Sequence, residues 1–452
     1  EVMFDLMEAG MDVARLNFAH GSQAEHGQRI DTIRRLERRT GNSLAILLDL
    51  AGPKVRTGTL LREPLSVKPG DTVWLTADTP RDERDIPVEY PDLTTEIEPR
   101  ERILLADGAI ELEVEAQEPQ RLRCRVLAGG EIGSHKGINL PTATLQARSV
   151  TPKDIGDLHF GLEHGVDMVA LSFVRNAADV RNVRELMRTW GSTVPLIAKI
   201  EKHEALLHID AIMEEVDGLM VARGDLGVEI PLEQVPSVQK DLIARANRAG
   251  KPVITATQML RSMVDSPRPT RAEATDIANA VYDGTDALML SEETAIGDFP
   301  VEAARFMCRI AEETEKHLDY SGLLRQKGDY KQPGRISDAV SHAACVMAQD
   351  LGASLIITLT ETGKTARAIA RFRPRQPVLA VTPNQATAHA LRLIWGVMPV
   401  QTEIDKKRFD FATLKKIALD SGLARPGELV VIAGVGDPTA EGATNLVKVE
   451  EL

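Results

Sequence analysis

Two stretches, L-I-A-K-I-E at 196–201 and L-M-V-A-R-G-D-L-G at 219–227, decide the fold. Each opens as a short apolar run of the kind that forms a buried parallel strand, and each ends in charge. Strand side chains alternate between faces, so Lys199 and Glu201 project the same way. An ammonium and a carboxylate side by side at a strand's C-terminal end make a poor core and a good reactive site. Asp225 follows the second run in a Gly-flanked turn that offers another carboxylate and exposed backbone N–H groups. Two carboxylates and a lysine are the minimum for holding a divalent metal against a phosphate.

Working outward, compact β-type runs recur at Val13–Phe18, Leu44–Leu50, Met168–Phe173, Pro252–Gln258 and Ala287–Glu292. Helical patterns at Ser22–Arg39, Ala177–Trp190, Glu233–Ala249 and Arg271–Asp283 lie among them. Strand–helix alternation predicts a parallel sheet, and seven such units predict an α/β fold of the (β/α)8 TIM type that lacks its first strand. A doubly wound sheet is the rival. The opening E-V-M-F-D-L-M-E-A-G reads as the last turns of a helix closing at Gly10, so the chain is expected to begin inside an element.

The alternation breaks between Lys54 and Leu140, where Pro and Gly punctuate short runs such as Val73–Thr76, Ile103–Leu105 and Ile110–Val114. This predicts a small inserted β-barrel domain over 55–138, splitting the larger barrel into 1–54 and 139–328. Gln326–Gly334 reads as a linker to a C-terminal α/β domain over 329–452. There a helix is expected at Ile336–Gln349 and another at Thr365–Phe372. Strands are expected at Leu355–Thr360 and near Val378–Val381, Val397–Val400 and Leu429–Ala433.

The 452 residues exceed the needs of one small core. Lys and Arg total 54 against 67 Asp and Glu, a balance of −13 that argues against a general nucleic-acid surface and leaves room for a local phosphate pocket. No apolar run approaches the ~18 residues of a membrane span. Cys124, Cys308 and Cys345 are scattered without metal-ligand spacing and suit a reduced cytoplasm.

Several residues carry two readings. Arg15 and Asn17 share a face at the end of V-A-R-L-N-F, where a structural ion pair is the ordinary alternative to a ligand contact. Ser22 and Glu25 have capping-box spacing and are assigned to helix initiation. His20 stands open between loop packing and a ligand. Asp49 could bind a cation or pair with Arg15 or Lys54. The Gly224–Gly227 turn reads as a helix entry that also offers N–H groups to an anion. Thr270 with Glu273 is a second capping box, whose hydroxyl could still touch substrate. Gly363-Lys364-Thr365 resembles the end of a P-loop, but Thr358 stands where its first glycine belongs. Gly434-Val435-Gly436 lacks the third glycine of a dinucleotide site, and His159 and His164 read as helix surface.

With these residues assembled, the chain closely resembles the pyruvate kinase family. The strings that carry the resemblance are A-R-L-N-F-A-H-G (14–21), G-P-K-V-R-T-G (52–58), K-G-I-N-L-P (136–141), I-A-K-I-E (197–201), V-A-R-G-D-L-G-V-E-I-P (221–231), A-T-Q-M-L-R-S-M (256–263), P-R-P-T-R-A-E (267–273) and L-S-E-E-T-A (290–295). They follow the family's order and span nearly the whole chain. The resemblance implies phosphoryl transfer from phosphoenolpyruvate to ADP, giving pyruvate and ATP. It implies that Glu201 and Asp225 bind Mg²⁺ or Mn²⁺ and that Lys199 and Arg15 meet the phosphoryl group. The N–H groups of Gly224 and Asp225, with Thr270, would hold the carboxylate, and Thr270 would lie on the proton path to the enolate. Asn17, His20, Arg56, Lys136 and Asp107 would serve the nucleotide, the last two from a closing lid.

Departures from the family pattern are instructive. Most members carry N-F-S-H-G and L-D-T-K-G-P-E, a potassium site built from Asn, Ser, Asp and Thr. Here Ala19 and Leu50 replace two oxygen ligands and Lys54 replaces the glutamate, so Asn17, Asp49 and Lys54 would form a site with an ammonium in place of K⁺. K⁺-independent activity is the expectation. Ala51 replaces a usual lysine. In the third domain Thr360, Thr362, Gly363, Lys364 and Thr365 resemble the loop that holds an effector phosphate. The acidic loop Gly436–Gly442 favours a monophosphorylated effector over a bisphosphate. A homotetramer and a cytoplasmic location are also implied. The alternatives are a metal-dependent lyase acting on pyruvate or phosphoenolpyruvate, and a catalytically impaired remnant whose open barrel edge lowers its stability.

Overall fold

The structure is a computed structural model that describes residues 1–90, 92–141, 143, 149–328, 335–403, 411–435 and 444–452. Seven parallel strands form its centre: β1 (Val13–Asn17), β2 (Ala45–Asp49), then β11 (Met168–Leu171), β12 (Leu196–Ile200), β13 (Gly218–Ala222), β14 (Val253–Ala256) and β15 (Ala287–Leu288). They neighbour one another in chain order, β1-β2-β11-β12-β13-β14-β15, with helices between them. The curled sheet with outer helices is the expected barrel architecture, and each strand lies within the run read from the sequence. The initial residues form the helix Val2–Glu8, and Gly10 follows at φ +106°, a left-handed conformation that glycine adopts freely.

The strands are apolar on both faces because each face meets protein. In β2, Ile46 and Leu48 join the large core beneath the helices, while Ala45 and Leu47 join the opposite core. That second core, which includes Met168, Ala170, Ile197, Met220, Ile254 and Ala256, fills the concave side of the sheet. Leu393 from the C-terminal domain packs against it as well. The period of two therefore fixes which later residues face inward. Arg15 and Asn17 continue the column of Val13, Asp49 that of Leu47, Ser172 that of Ala170, and Lys199 and Glu201 that of Ile197.

Between β2 and β11 lies the inserted β domain. Its strands are β3 (Leu65–Val67), β4 (Thr72–Thr76), β5 (Asp85–Pro87), β6 (Arg102–Leu105), β7 (Ile110–Glu118), β8 (Arg121–Ala128), β9 (Gly130–Ile132) and β10 (Ile138–Asn139). They form a six-stranded sheet, β10-β6-β7-β8-β4-β5, and a two-stranded ribbon, β3-β9, around one apolar core. The C-terminal domain holds β16 (Leu355–Leu359), β17 (Val378–Thr382), β18 (Val397–Gln401), β19 (Leu429–Gly434) and β20 (Leu446–Glu451). Its sheet runs β18-β17-β16-β19-β20, parallel except for β20, which pairs antiparallel with β19 and was not legible in the sequence. The described part of the expected linker belongs to the helix Tyr320–Gly328, and its remainder, 329–334, lies outside the described residues.

Two buried ionic contacts dock the C-terminal domain on the barrel. Arg373, almost wholly buried, sets its guanidinium on both oxygens of Asp286, at 2.8 and 2.9 Å, and donates to Asn247 and the Gly284 carbonyl. His389 donates from Nδ1 to Asp167 Oδ1 at 2.6 Å and lies 2.9 Å from Glu37 Oε1, while Arg34 bridges Glu37 and Asp167. Burial alone would lower the His389 pKa, but the Asp167 and Glu37 contacts overcome it and raise it to about 9. A folded-state pKa above the unfolded value stabilises the protein fully below about pH 6.5, and that stability is lost as pH climbs toward 9. His389→Gln should flatten the fall in Tm between those pH values, measured by calorimetry.

Candidate active site

The inward columns end in a charged layer at the C-terminal end of the strands. Lys199 Nζ lies 3.1 Å from Asp49 Oδ1, 2.9 Å from Glu201 Oε1 and 2.7 Å from Ser172 Oγ. Arg15 Nε donates to the other Asp49 oxygen at 2.6 Å. In register, Asn17 pairs with Asp49, Asp49 with Ala170 and Ala170 with Ile197, so Arg15 lies one inward step below Asp49 and Lys199 one above, and both side chains reach its carboxylate. The Ser172 hydroxyl is fixed from behind by the Leu50 carbonyl at 2.6 Å.

Electrostatics keep the layer ionised. Burial raises the Asp49 pKa, yet Lys199 and Arg15 lower it further, for a net depression. Burial likewise opposes the Lys199 ammonium, but Asp49 and Glu201 outweigh it and the pKa rises. Glu201 is the exception: burial pushes its carboxyl up, Lys199 pulls it down, and the like charge of Asp225 pushes it up again. A cation between Glu201 and Asp225 would relieve that strain, so the donor set suits a divalent metal.

The turns around this layer are tightly held. Glu201 Oε2 accepts from the Phe173 N–H at 2.7 Å, and Phe173 has φ +54°. Its ring closes on Gly52 (φ +70°), where a Cβ would lie 2.7 Å from the ring. At the end of β14, Thr257 and Gln258 are both left-handed, at φ +70° and +56°. Such geometry costs a β-branched residue on the order of 1–3 kcal/mol. Arg223 braces the strained pair by donating to the Ala256 and Thr257 carbonyls and to Asp276.

This turn modifies one expectation. The Gly224 N–H is not free, because it donates to Thr257 Oγ1 at 2.7 Å. Asp225 sits in the first turn of the helix Arg223–Glu229, where N–H groups lack partners within the helix. Thr270 caps the helix Arg271–Asp283 in a complete capping box with Glu273 and keeps an exposed position. Ser22 and Glu25 likewise form their box.

Lys54 lies elsewhere than with Asp49 and Asn17. Its ammonium is 3.3 Å from Asp225 and 3.8 Å from Asp107, which projects from the turn after β6 at φ +54°. Asn17 Oδ1 accepts from the Ala19 N–H, and the His20 carbonyl accepts from His26, leaving His20 itself exposed. Arg56 donates to the His135 carbonyl, and Lys136 is exposed beside it at the root of the inserted domain.

In the C-terminal domain, Thr360 Oγ1 accepts from the Gly363 N–H at 2.9 Å, and Thr365 bonds Thr444 at 2.8 Å. Thr362 offers its carbonyl to Arg367, and Lys364 is exposed. The expected loop Gly436–Gly442 lies outside the described residues. His159 and His164 pack edgewise on Trp190 and flat on Phe160. Ser172, Thr257 and Arg223 were missed from the sequence; extending the period-two column of β11 by one step would have found Ser172.

Residues 1–304 match the family described as pyruvate kinase, barrel domain, and residues 338–450 the pyruvate kinase alpha/beta domain. The chain belongs to the pyruvate kinase family. It is 46% identical to pyruvate kinase 2 of Synechocystis sp., over all of this chain and 76% of that relative. It is 42% identical to the pyruvate kinase of Clostridium acetobutylicum, over all of this chain and 96% of the relative. Against the pyruvate kinase of Geobacillus stearothermophilus it is 45% identical, over 99% of this chain and 77% of the relative. Like other pyruvate kinases, it is a phosphotransferase.

Asp49 is the hub of the layer, so Asp49→Asn should lower unfolding stability by about 3 kcal/mol in urea titrations, because two cations lose their shared anion. A depressed carboxylate stabilises the protein above its unfolded pKa and stops doing so as pH falls below about 4. The variant should therefore lose less stability than the unaltered chain on acidification.

Proposed function

We propose that the chain moves the phosphoryl group of phosphoenolpyruvate to ADP. The bond from phosphorus to the enol oxygen breaks, a bond to a β-phosphate oxygen of ADP forms, and the enolate takes a proton at carbon to become pyruvate. One observation carries this reading: Lys199 and Arg15 converge on Asp49 beside Glu201, whose carboxyl also feels the like charge of Asp225. Phosphoryl transfer needs preplaced positive charge more than covalent help.

Lys199, held on three sides by Asp49, Glu201 and Ser172, keeps its ammonium fixed and charged where phosphoryl oxygens would lie. Arg15, fixed on Asp49 through Nε, leaves its terminal nitrogens for the same oxygens. Glu201 and Asp225 would hold Mg²⁺ or Mn²⁺, which when bound neutralises charge on the phosphates. The Asp225 N–H and the Thr270 hydroxyl would take the substrate carboxylate, and the Gly224 N–H joins them by leaving Thr257. Thr270 stands on the proton path. Asn17, His20, Arg56, Lys136 and Asp107 serve the nucleotide, with the inserted domain as a lid that excludes water.

The reaction runs without K⁺. Ala19 and Leu50 supply no side-chain oxygen, and Lys54 brings a fixed ammonium to Asp225 at the same mouth. Thr360–Thr365 receives an effector phosphate, and the chain works in the cytoplasm as a homotetramer. No helix among the described residues is long and apolar enough to cross a membrane.

Lys199→Met should reduce kcat by at least about a hundredfold in a pyruvate-release assay without weakening Mn²⁺ binding. Glu201→Gln should weaken Mn²⁺ binding itself, read by titration calorimetry without substrate. Assays in tetramethylammonium chloride should give the same rate as in KCl, and marked K⁺ activation would refute K⁺ independence.

A further inference from the structure

Although the chain carries a net charge of −13, one seam between the barrel and the C-terminal domain gathers cations. A narrow cleft, partly open to solvent, is lined there by Lys251, Asp286, Arg367, Arg371 and Arg373. It lies near the starts of β14 and β15, the end of the barrel away from the site described above.

The partners of these cations do not balance them. Asp286 is taken by Arg373, whose Nε is buried and has no partner among the described residues. Arg371 reaches Asp338 at 3.1 Å. Among the described residues, Arg367 has only the Thr362 carbonyl as a hydrogen-bond acceptor, and Lys251 only the carbonyls of Met213 and Val216. Lys327 donates to the Arg371 carbonyl. Asp217 attracts Arg367 and Lys251 through space, and Glu215 and Glu214 attract Lys251 as well, but Asp217 is itself bound to Arg184 and Glu215 to Arg181. Burial, aided by Arg373 and Arg371, pushes the Lys327 ammonium down to about 7, while burial lowers Lys251 and Arg367 as well. Crowded cations with too few anions are the mark of a place that gains from a multiply charged guest.

We propose that this seam binds a phosphate-bearing anion, held by Arg367 and Arg371 from the C-terminal domain and Lys251 from the barrel. Arg367 and Arg371 are one helical turn apart on the helix Lys364–Ala370 and its first following residue, so their guanidinium forks reach the same space. A guanidinium matches phosphate oxygens in pairs, and Lys251 adds a point charge from across the seam. A lone carboxylate would leave most of the surplus charge in place. The bound ion would tie the two domains together. This site is separate from the loop Thr360–Thr365, although Arg367 supports that loop through the Thr362 carbonyl.

The test uses the full chain with inorganic phosphate at constant ionic strength. Crystals soaked in arsenate, a phosphate mimic, should give an anomalous peak bounded by Arg367, Arg371 and Lys251. Phosphate should raise Tm, and Arg367→Met should weaken the apparent affinity about tenfold while Arg367→Lys retains most of it. Lys251→Met gives the same reading from the barrel side if Arg367→Met folds poorly. Tighter binding of glycerol 3-phosphate than of phosphate would identify a monoester ligand, and equal binding the free ion; both support the site. A peak only at the barrel mouth or the Thr360–Thr365 loop would overturn the proposal. So would an unchanged phosphate response in both Met variants.

Discussion

The structure depends on one buried ammonium. Lys199 sits at the end of an apolar strand, where an isolated charge would be expelled or neutralised. It stays because Asp49 and Glu201 lie within 3.1 Å and Ser172 accepts its third contact. Each partner comes from a different strand or the turn beyond it, so the ion cluster locks the register of β2, β11 and β12 while placing charge at the mouth. Removing any one acid leaves the others with an unmatched charge, which is why the cluster behaves as a unit.

The same principle recurs at the domain seams with a different balance. Arg373 on Asp286 and His389 on Asp167 are nearly saturated pairs, and they fix where the C-terminal domain sits. A few ångströms on, Arg367 and Lys251 have backbone carbonyls in place of carboxylates. Contacts paired with carboxylates serve position, and those beside them that rest on carbonyls leave attraction to spare.

Much of this was legible in the sequence because buried parallel strands advertise themselves. Runs such as A-I-L-L-D and L-I-A-K-I have no reason to be apolar throughout unless both faces are covered, and period two then puts Lys199 and Glu201 together. Capping boxes at Ser22 and Thr270 were readable for the same reason: local spacing decides local geometry. What escaped depends on distance in the chain. The left-handed turn at Thr257 is imposed by Arg223, more than thirty positions earlier, and it captures the Gly224 N–H that local reading left free. Lys54 was placed with Asp49 by substitution pattern, but Arg15 and Lys199 already fill that carboxylate, and Lys54 turns to Asp225 instead. The antiparallel β20, L-V-K-V-E-E, is short and ends in charge, which resembles surface helix as much as edge strand.

Lys54 stands at the root of the inserted domain, with one contact on each side of the joint. Its 3.8 Å approach to Asp107 is long, and the aspartate is mostly in water, so that contact is worth less than about 1 kcal/mol. The nearer Asp225 belongs to the barrel. A swing of the inserted domain would therefore cost Lys54 only its feeble partner while the cation keeps its firmer hold.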